Sequence, residues 1–201
     1  HIAYLLMVAA VITSCGEKKQ TSEFPDWAWA DFQRPEGINP IVSPDTTTVF
    51  YCPMRQDSVA WESSDTFNPA ATIYDGKVVV LYRAEDNSAV GIGSRTSRLG
   101  YAYSDDGLHF NRMTVPVFYP ADDNQKELEW PGGCEDPRVA VTDDGLYVML
   151  YTQWNRKQAR LAVATSRDLQ IWEKYGPAFA KAYGGRFFDE FSKSASIVTK
   201  L

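Results

Sequence analysis

The stretch Gly132-Gly133-Cys134-Glu135-Asp136-Pro137-Arg138 sets two adjacent carboxylates beside a rigid Pro and an Arg, just ahead of the apolar run Val139-Ala140-Val141. Clustered carboxylates are a common source of general acids and bases. Pro fixes its own φ and pushes the residue before it towards an extended backbone. Upstream glycines let the backbone approach a ligand closely. The pattern predicts a strand entry that aims Asp136 at a pocket. The competing reading is a loop whose acids pair locally with Arg138.

An internal repeat supplies the elements that position these residues. Phe67-Asn68-Pro69-Ala70-Ala71-Thr72-Ile73-Tyr74-Asp75-Gly76 runs into Lys77-Val78-Val79-Val80-Leu81-Tyr82-Arg83. Glu135-Asp136-Pro137-Arg138-Val139-Ala140-Val141 runs through Asp144-Gly145 into Leu146-Tyr147-Val148-Met149-Leu150-Tyr151. Each has a polar residue before Pro, a short strand, an Asp-Gly turn and a longer apolar strand, which is a hairpin signal. Arg98-Leu99-Gly100-Tyr101-Ala102-Tyr103-Ser104-Asp105-Asp106 then answers to Arg160-Leu161-Ala162-Val163-Ala164-Thr165-Ser166-Arg167-Asp168. Each unit is predicted to close with an aromatic strand, Leu108-His109-Phe110 and Gln170-Ile171-Trp172.

Four-stranded units repeating 68 residues apart, from Asn68 to Asp136, predict the blades of an all-β propeller. A third blade is expected to open at Ser194-Ala195-Ser196-Ile197-Val198. Inner strands of a propeller converge on a central channel. Asn68, Asp136 and Arg83, with Glu85 beside it, are therefore expected at one mouth although they are far apart in sequence.

At these residues the chain resembles glycoside hydrolase family 130, the β-mannoside phosphorylases and β-mannosidases. The matching elements are Phe67-Asn68-Pro69-Ala70-Ala71, Leu81-Tyr82-Arg83-Ala84-Glu85-Asp86, Arg98 to Gly107, and Gly133-Cys134-Glu135-Asp136-Pro137-Arg138. The resemblance covers about residues 60–200 and implies a five-bladed β-propeller, of which this chain would hold about the first half. It implies that Asp136 is the proton donor, that Asn68 and Arg83 line the mannose subsite, and that Glu135 and Arg138 flank and tune the acid. The family's anion-binding Lys, His and Arg residues fall mostly in later blades, and Lys193 lies near one such region. His109 is expected to be structural.

The implied reaction is inverting cleavage of a β-mannoside. A general acid must hold its proton near neutral pH, so burial or a like charge such as Glu135 should raise its pKa, while Arg83 or Arg138 would oppose that. The family is thought to relay the proton through a mannose hydroxyl. The acceptor is water in a hydrolase, or inorganic phosphate as co-substrate in a phosphorylase. Hydrolysis of β-linked manno-oligosaccharides is the main expectation. Phosphorolysis releasing mannose 1-phosphate and a non-catalytic glycan-binding propeller are the alternatives. No other cofactor is expected.

The chain starts at His1 and stops just after a strand-like run, so it is read as part of a longer protein. Its apolar opening, residues 2–12, is shorter than the roughly 20 residues that span a bilayer but suits a signal-peptide core. Ile12-Thr13-Ser14-Cys15-Gly16 resembles a bacterial lipoprotein signal. The expected organisation is a signal peptide over 1–14, a lipidated Cys15 with its tether over 15–35, and a partial propeller over 36–201. A lipid anchor makes the membrane a partner and places the protein in a bacterial cell envelope, where a phosphorolytic product is of little use. The two remaining cysteines, Cys52 and Cys134, make no disulfide framework, and two histidines match no zinc pattern, so no metal site is expected. A net charge of −6 disfavours nucleic acid. Aromatics at 13% exclude disorder and, beside carboxylates, suit carbohydrate, although most must be core.

Overall fold

The computed structural model describes residues 32–199. The expected signal peptide, Cys15 and most of its tether lie outside the described residues. The chain divides into two compact units, His1–Pro35 and Glu36–Leu201, and the architecture below belongs to the second.

A small hairpin, β1 (Phe50–Cys52) and β2 (Asp57–Val59), precedes two four-stranded antiparallel meanders. The first contains β3 (Asp65–Tyr74), β4 (Lys77–Glu85), β5 (Ser97–Ser104) and β6 (Asn111–Arg112). A short helix, α1 (Lys126–Glu129), leads to the second: β7 (Gly133–Val141), β8 (Tyr147–Trp154), β9 (Ala159–Ser166) and β10 (Glu173–Pro177). These are the two expected blades. Their sheets are joined by a single parallel pair, Ser97 with Gly133. Gly133 has φ +116 and an added Cβ would lie 2.2 Å from the Ser97 carbonyl oxygen, so only glycine permits this approach.

Strand β4 reads as an unbroken apolar run because both of its faces are covered. Val79 and Leu81 join Leu99, Tyr101, Met149 and Tyr151 in a core shared by the blades. Val80, Tyr82 and Ala84 face the opposite way, against Phe50, Val59 and Trp61 of the leading hairpin segment. Burying a side chain such as Leu81 contributes about 1.5–3 kcal/mol.

The turns show the repeat in detail. Asp75 and Gly76 have φ 49° and 71°, a tight two-residue hairpin of the type that Asp-Gly favours. The second Asp-Gly lies in a longer loop, where Gly145 N donates to Thr142 O. Ser104 Oγ bonds Asp106 at 2.8 Å and Ser166 Oγ bonds Asp168 at 3.0 Å. Each of these aspartates accepts two backbone N–H groups further on. His109 caps the first of these turns on Asp106 at 2.7 Å, exposed, as its structural reading requires.

Three expectations need correction. The aromatics Phe110 and Trp172 precede the fourth strands and do not form them; they pack inward from the turn. Residues 191–199 are irregular, because no strand pairs with them among the described residues. Asp136 is not a strand entry in extended backbone. It is the fourth residue of β7, in a bulge, with φ 52°.

Candidate active site

The bulge is the device that creates the site. In β3 the pairing steps from Phe67 with Arg83 to Ala70 with Leu81, so Asn68 and Pro69 face Tyr82 alone. In β7 it steps from Glu135 with Thr152 to Arg138 with Leu150, so Asp136 and Pro137 face Tyr151 alone. A bulge leaves a residue unpaired, so the missing N–H of Pro costs nothing there. It also demands positive φ, which Asn and Asp tolerate better than most residues: Asn68 stands at 45°, Asp136 at 52°. The bulge overrides the local preference that Pro137 imposes, and turns both polar side chains to one place.

Asn68 Nδ2 donates to Asp136 Oδ1 at 3.0 Å. Arg83 NH1 donates to the same oxygen at 3.0 Å. The Arg83 guanidinium also holds Glu85 Oε1 at 2.6 Å and Glu135 Oε1 at 2.9 Å through NH2, while Nε donates to Ser97 Oγ at 3.0 Å. Its flat face lies 4.5 Å from the centre of the Phe67 ring. Lys193 Nζ closes the cluster, 2.6 Å from Glu135 Oε2 and 3.4 Å from Asp136 Oδ2. Arg95 stands 3.6 Å from Glu85 Oε2 and pairs with Asp65. Arg83, Glu85, Ser97, Glu135 and Asp136 are buried, Phe67, Arg95 and Asp65 are half-buried, and Asn68 and Lys193 are exposed; charge-assisted bonds in the buried part are strong and directional.

The electrostatics differ from the sequence-based expectation. Burial pushes Asp136 up, but the Asn68 hydrogen bond, Arg83 and Lys193 together outweigh it and hold the carboxyl below its ordinary value. Glu135 goes the other way: burial raises it despite Arg83 and Lys193, and Asp136 adds to the rise. Glu135 was expected to raise Asp136 by like charge; the cations bonded to Asp136 prevent that.

Four of the five expected site residues, Asn68, Arg83, Glu135 and Asp136, converge. Arg138 does not join them. It follows the bulge, donates to the Pro137 carbonyl at 2.7 Å, and lines a separate cavity of about 250 Å³ with Ala70, Val139 and Ile197. Glu85 was expected beside Arg83 at the mouth; sequence reasoning missed Phe67 and Ser97 as partners of Arg83. It also missed Ser194, whose φ of 55° repeats the signature of Asn68 and Asp136. The residues preceding these three, Phe67, Glu135 and Lys193, all reach the cluster. Ser194-Ala195 stands where Asn68-Pro69 and Asp136-Pro137 stand, a third occurrence of the signal without its Pro.

A cavity of about 290 Å³ opens onto the cluster, lined by Arg83, Glu135, Lys193, Trp154, Ile92 and Phe191. Its charged base and apolar walls suit a sugar ring. A larger cavity of about 540 Å³, beside Val141, Val148 and Ile197, holds none of the clustered groups. Among the described residues no group of three or more His, Cys, Asp or Glu side chains is placed to hold a metal ion. Cys52 and Cys134 are free and buried.

The family model described as β-1,4-mannooligosaccharide phosphorylase, glycoside hydrolase family 130, matches residues 33–200, and the chain belongs to that family. A curated 1,2-β-oligomannan phosphorylase of Thermoanaerobacter sp. (strain X514) is 37% identical over 141 residues, 68% of this chain and 43% of its own length. A solved structure from Bacteroides thetaiotaomicron VPI-5482 is 99% identical with a TM-score of 0.84, covering 86% of this chain and 50% of that one. Another is 70% identical with a TM-score of 0.83, covering 85% of this chain and 48% of that one. Its description states that the GH130 family of mannoside phosphorylases contains glycoside hydrolases that target β-1,2 mannosidic linkages in Candida mannan. The fold is that of the family's five-bladed propellers, and the chain spans about half the length of these relatives.

Proposed function

We propose that the cluster around Asp136 belongs to the active site of an inverting enzyme that cleaves β-1,2-linked mannosides. The observation that carries this is a bulge carboxylate held jointly by Asn68 and Arg83. These are the side chains that the family resemblance assigns to proton donation and the mannose subsite. Asp136 is ionised in the resting cluster, so a proton must reach it when sugar binds. A ring filling the cavity, which Glu135 lines, removes water from that carboxylate and favours its neutral form. Lys193, 44% exposed, is the cation a sugar displaces most easily. Glu135, whose burial raises its pKa, is the adjacent carboxyl through which a proton passes to Asp136. A mannose hydroxyl then relays the proton to the glycosidic oxygen.

The acceptor is the finer question. Hydrolysis was the main expectation, but the curated relatives are a 1,2-β-oligomannan phosphorylase and a β-1,2-mannobiose phosphorylase, which favours phosphate. One observation favours water: the 70%-identical structure is described with hydrolases of β-1,2 linkages. Incubating the whole protein with β-1,2-mannobiose, with and without phosphate, decides between them. Mannose 1-phosphate at a phosphate-dependent rate means phosphorolysis; free mannose at a phosphate-independent rate means hydrolysis. Release of neither product overturns the enzyme reading and leaves the glycan-binding propeller. Lipidation of Cys15 and a cell-envelope location form part of the same proposal. Metabolic labelling with a fatty-acid analogue, lost in Cys15→Ala, tests them.

A further inference from the structure

Lys193 does not belong to either blade. It is delivered by an irregular strap, residues 186–193, that crosses the second blade after the 3-10 turn Ala182–Gly185. The strap is tied to β9 at several points. Ser192 N donates to Ala159 O at 3.2 Å, and Leu161 N donates to Ser192 Oγ at 2.9 Å. Gln158 Nε2 donates to Asp189 O at 3.0 Å. The strongest tie is Arg160: Nε donates to Phe188 O at 2.9 Å, NH2 meets Asp189 Oδ1 at 3.0 Å, and the guanidinium lies 4.8 Å from the centre of the Phe188 ring. Asp189 is 87% exposed, so its ion pair is screened, and the grip rests on the carbonyl and the ring. That grip needs a planar fork, which lysine lacks.

We propose that Arg160 is a positioning residue: it clamps the strap onto β9 so that the Lys193 ammonium stands between Glu135 and Asp136, and it acts on catalysis only through that lysine. The cations bonded to the carboxylate pair are Arg83 from β4 and Lys193; Glu85, also from β4, shares Arg83, and Arg95 from the connection ahead of β5 and Asp65 from β3 lie one step further out, on Glu85 and on each other. Among the described residues Lys193 alone comes from the strap. Loosening the strap therefore removes one positive charge from the pair and leaves the others in place. This inference rests on the reading of Asp136 as the acid.

The test uses the whole protein and four variants: Arg160→Met, which keeps the packed stem, Arg160→Lys, Lys193→Met, and the double variant Arg160→Met with Lys193→Met. Losing a nearby cation raises a carboxylate pKa, so the pH limb where the pair loses its proton moves upward. Lys193→Met should move that limb of kcat/KM by about 1 pH unit. Arg160→Met should move it the same way by less, and Arg160→Lys by less again. The double variant should move no further than Lys193→Met, because both act through one group. Carboxyl-13C NMR titration of Asp- and Glu-labelled protein should show the same displacements without turnover. An Arg160→Met that loses activity or thermal stability with both titrations unmoved overturns the proposal, as does a double variant whose shift is the sum of the singles. Should Arg160→Met not fold, Arg160→Lys carries the same two outcomes. Should Asp136→Asn stay active, the acid assignment fails, while the NMR displacement still judges the clamp.

Discussion

The two blades share a frame and divide the chemistry. In register, Phe67 answers to Glu135, Asn68 to Asp136, Arg83 to Thr152 and Glu85 to Trp154. The first blade supplies the guanidinium and the amide; the second supplies the acids. Thr152, where Arg83 would stand, is buried with a hydroxyl that finds no partner. A different repeat runs behind the site. Tyr82 donates to the buried Glu62 at 2.8 Å, and Tyr151 donates to the buried Glu129 at 2.7 Å. Each glutamate precedes its blade, and each takes a cation from the fourth strand, Arg112 at 3.2 Å and Lys174 at 2.5 Å. The latch is repeated because it holds a blade together; the bulge residues differ because each contributes one part of a single site. Function thus lies in the departures from the repeat.

The sharpest way to break this comparison is to exchange the bulges. Asp136→Asn in the whole protein should cut turnover by about 10²–10⁴, the usual worth of general acid catalysis, with the fold intact. The reciprocal swap, Asn68→Asp with Asp136→Asn, keeps both groups but moves the carboxylate to the first blade. It should stay inactive. Near-native rates in the swap would make the bulges interchangeable.

The latches come next. Glu129→Ala takes from Lys174, 11% exposed, its buried partner, leaves only the half-exposed Asp123 at 3.2 Å as counter-charge and orphans the buried Tyr151 hydroxyl, so it should cost about 3–5 kcal/mol. Glu62→Ala leaves Arg112, 25% exposed, able to turn to water, and should cost about 1–3 kcal/mol through the orphaned Tyr82 hydroxyl. Denaturant midpoints at unchanged slope measure both. Equal losses would deny that burial of the cation sets the difference.

Asp86 and Arg98, wholly buried and 2.9 Å apart, belong to the first blade. Burial raises the Asp86 carboxyl, but Arg98 and Ser88 outweigh it and hold the pKa below its ordinary value. A folded pKa below the unfolded one gives stability that is full above the unfolded value and lost as pH falls through the folded one. Asp86→Asn should therefore cost about 3 kcal/mol at neutral pH, and its gap to wild type should close on acidification below about pH 4. A gap that widens in acid would reverse the sign.

Much of this was legible in the sequence because a repeat doubles every signal. The Asp-Gly turns, the Ser-x-Asp turns and the pair Asn68 and Asp136 were all readable at fixed offsets. The fourth strands were not, because β6 is two residues long and the aromatics beside it pack from a turn. Arg138 misled because sequence adjacency ignores a bulge, which changes the facing of whatever follows. Ser97 reaches Arg83 from the neighbouring strand, a contact no local pattern records, whereas Glu85 stands two residues along the same strand. Lys193 was half-visible: its repeat signature lacks the Pro that marked the other two.

The smallest expected effect tests the strap. Arg160 is the counterpart of Arg98 in the second blade, yet its carboxylate partner, Asp189, is 87% exposed. A charge in water gains little from a neighbour, and holding two long side chains together costs entropy. Asp189→Asn should therefore lower stability by at most about 1 kcal/mol, a difference that salt at about 1 M, with a Debye length near 3 Å, should erase. Arg160 would keep the Phe188 carbonyl and ring, so the strap should stay in place and the pH profile should not move. Thermal midpoints in low and high salt check the first point and kcat/KM against pH the second. A loss as large as that of Asp86→Asn would show that the exposed ion pair, rather than the carbonyl and ring, holds the strap on the second blade.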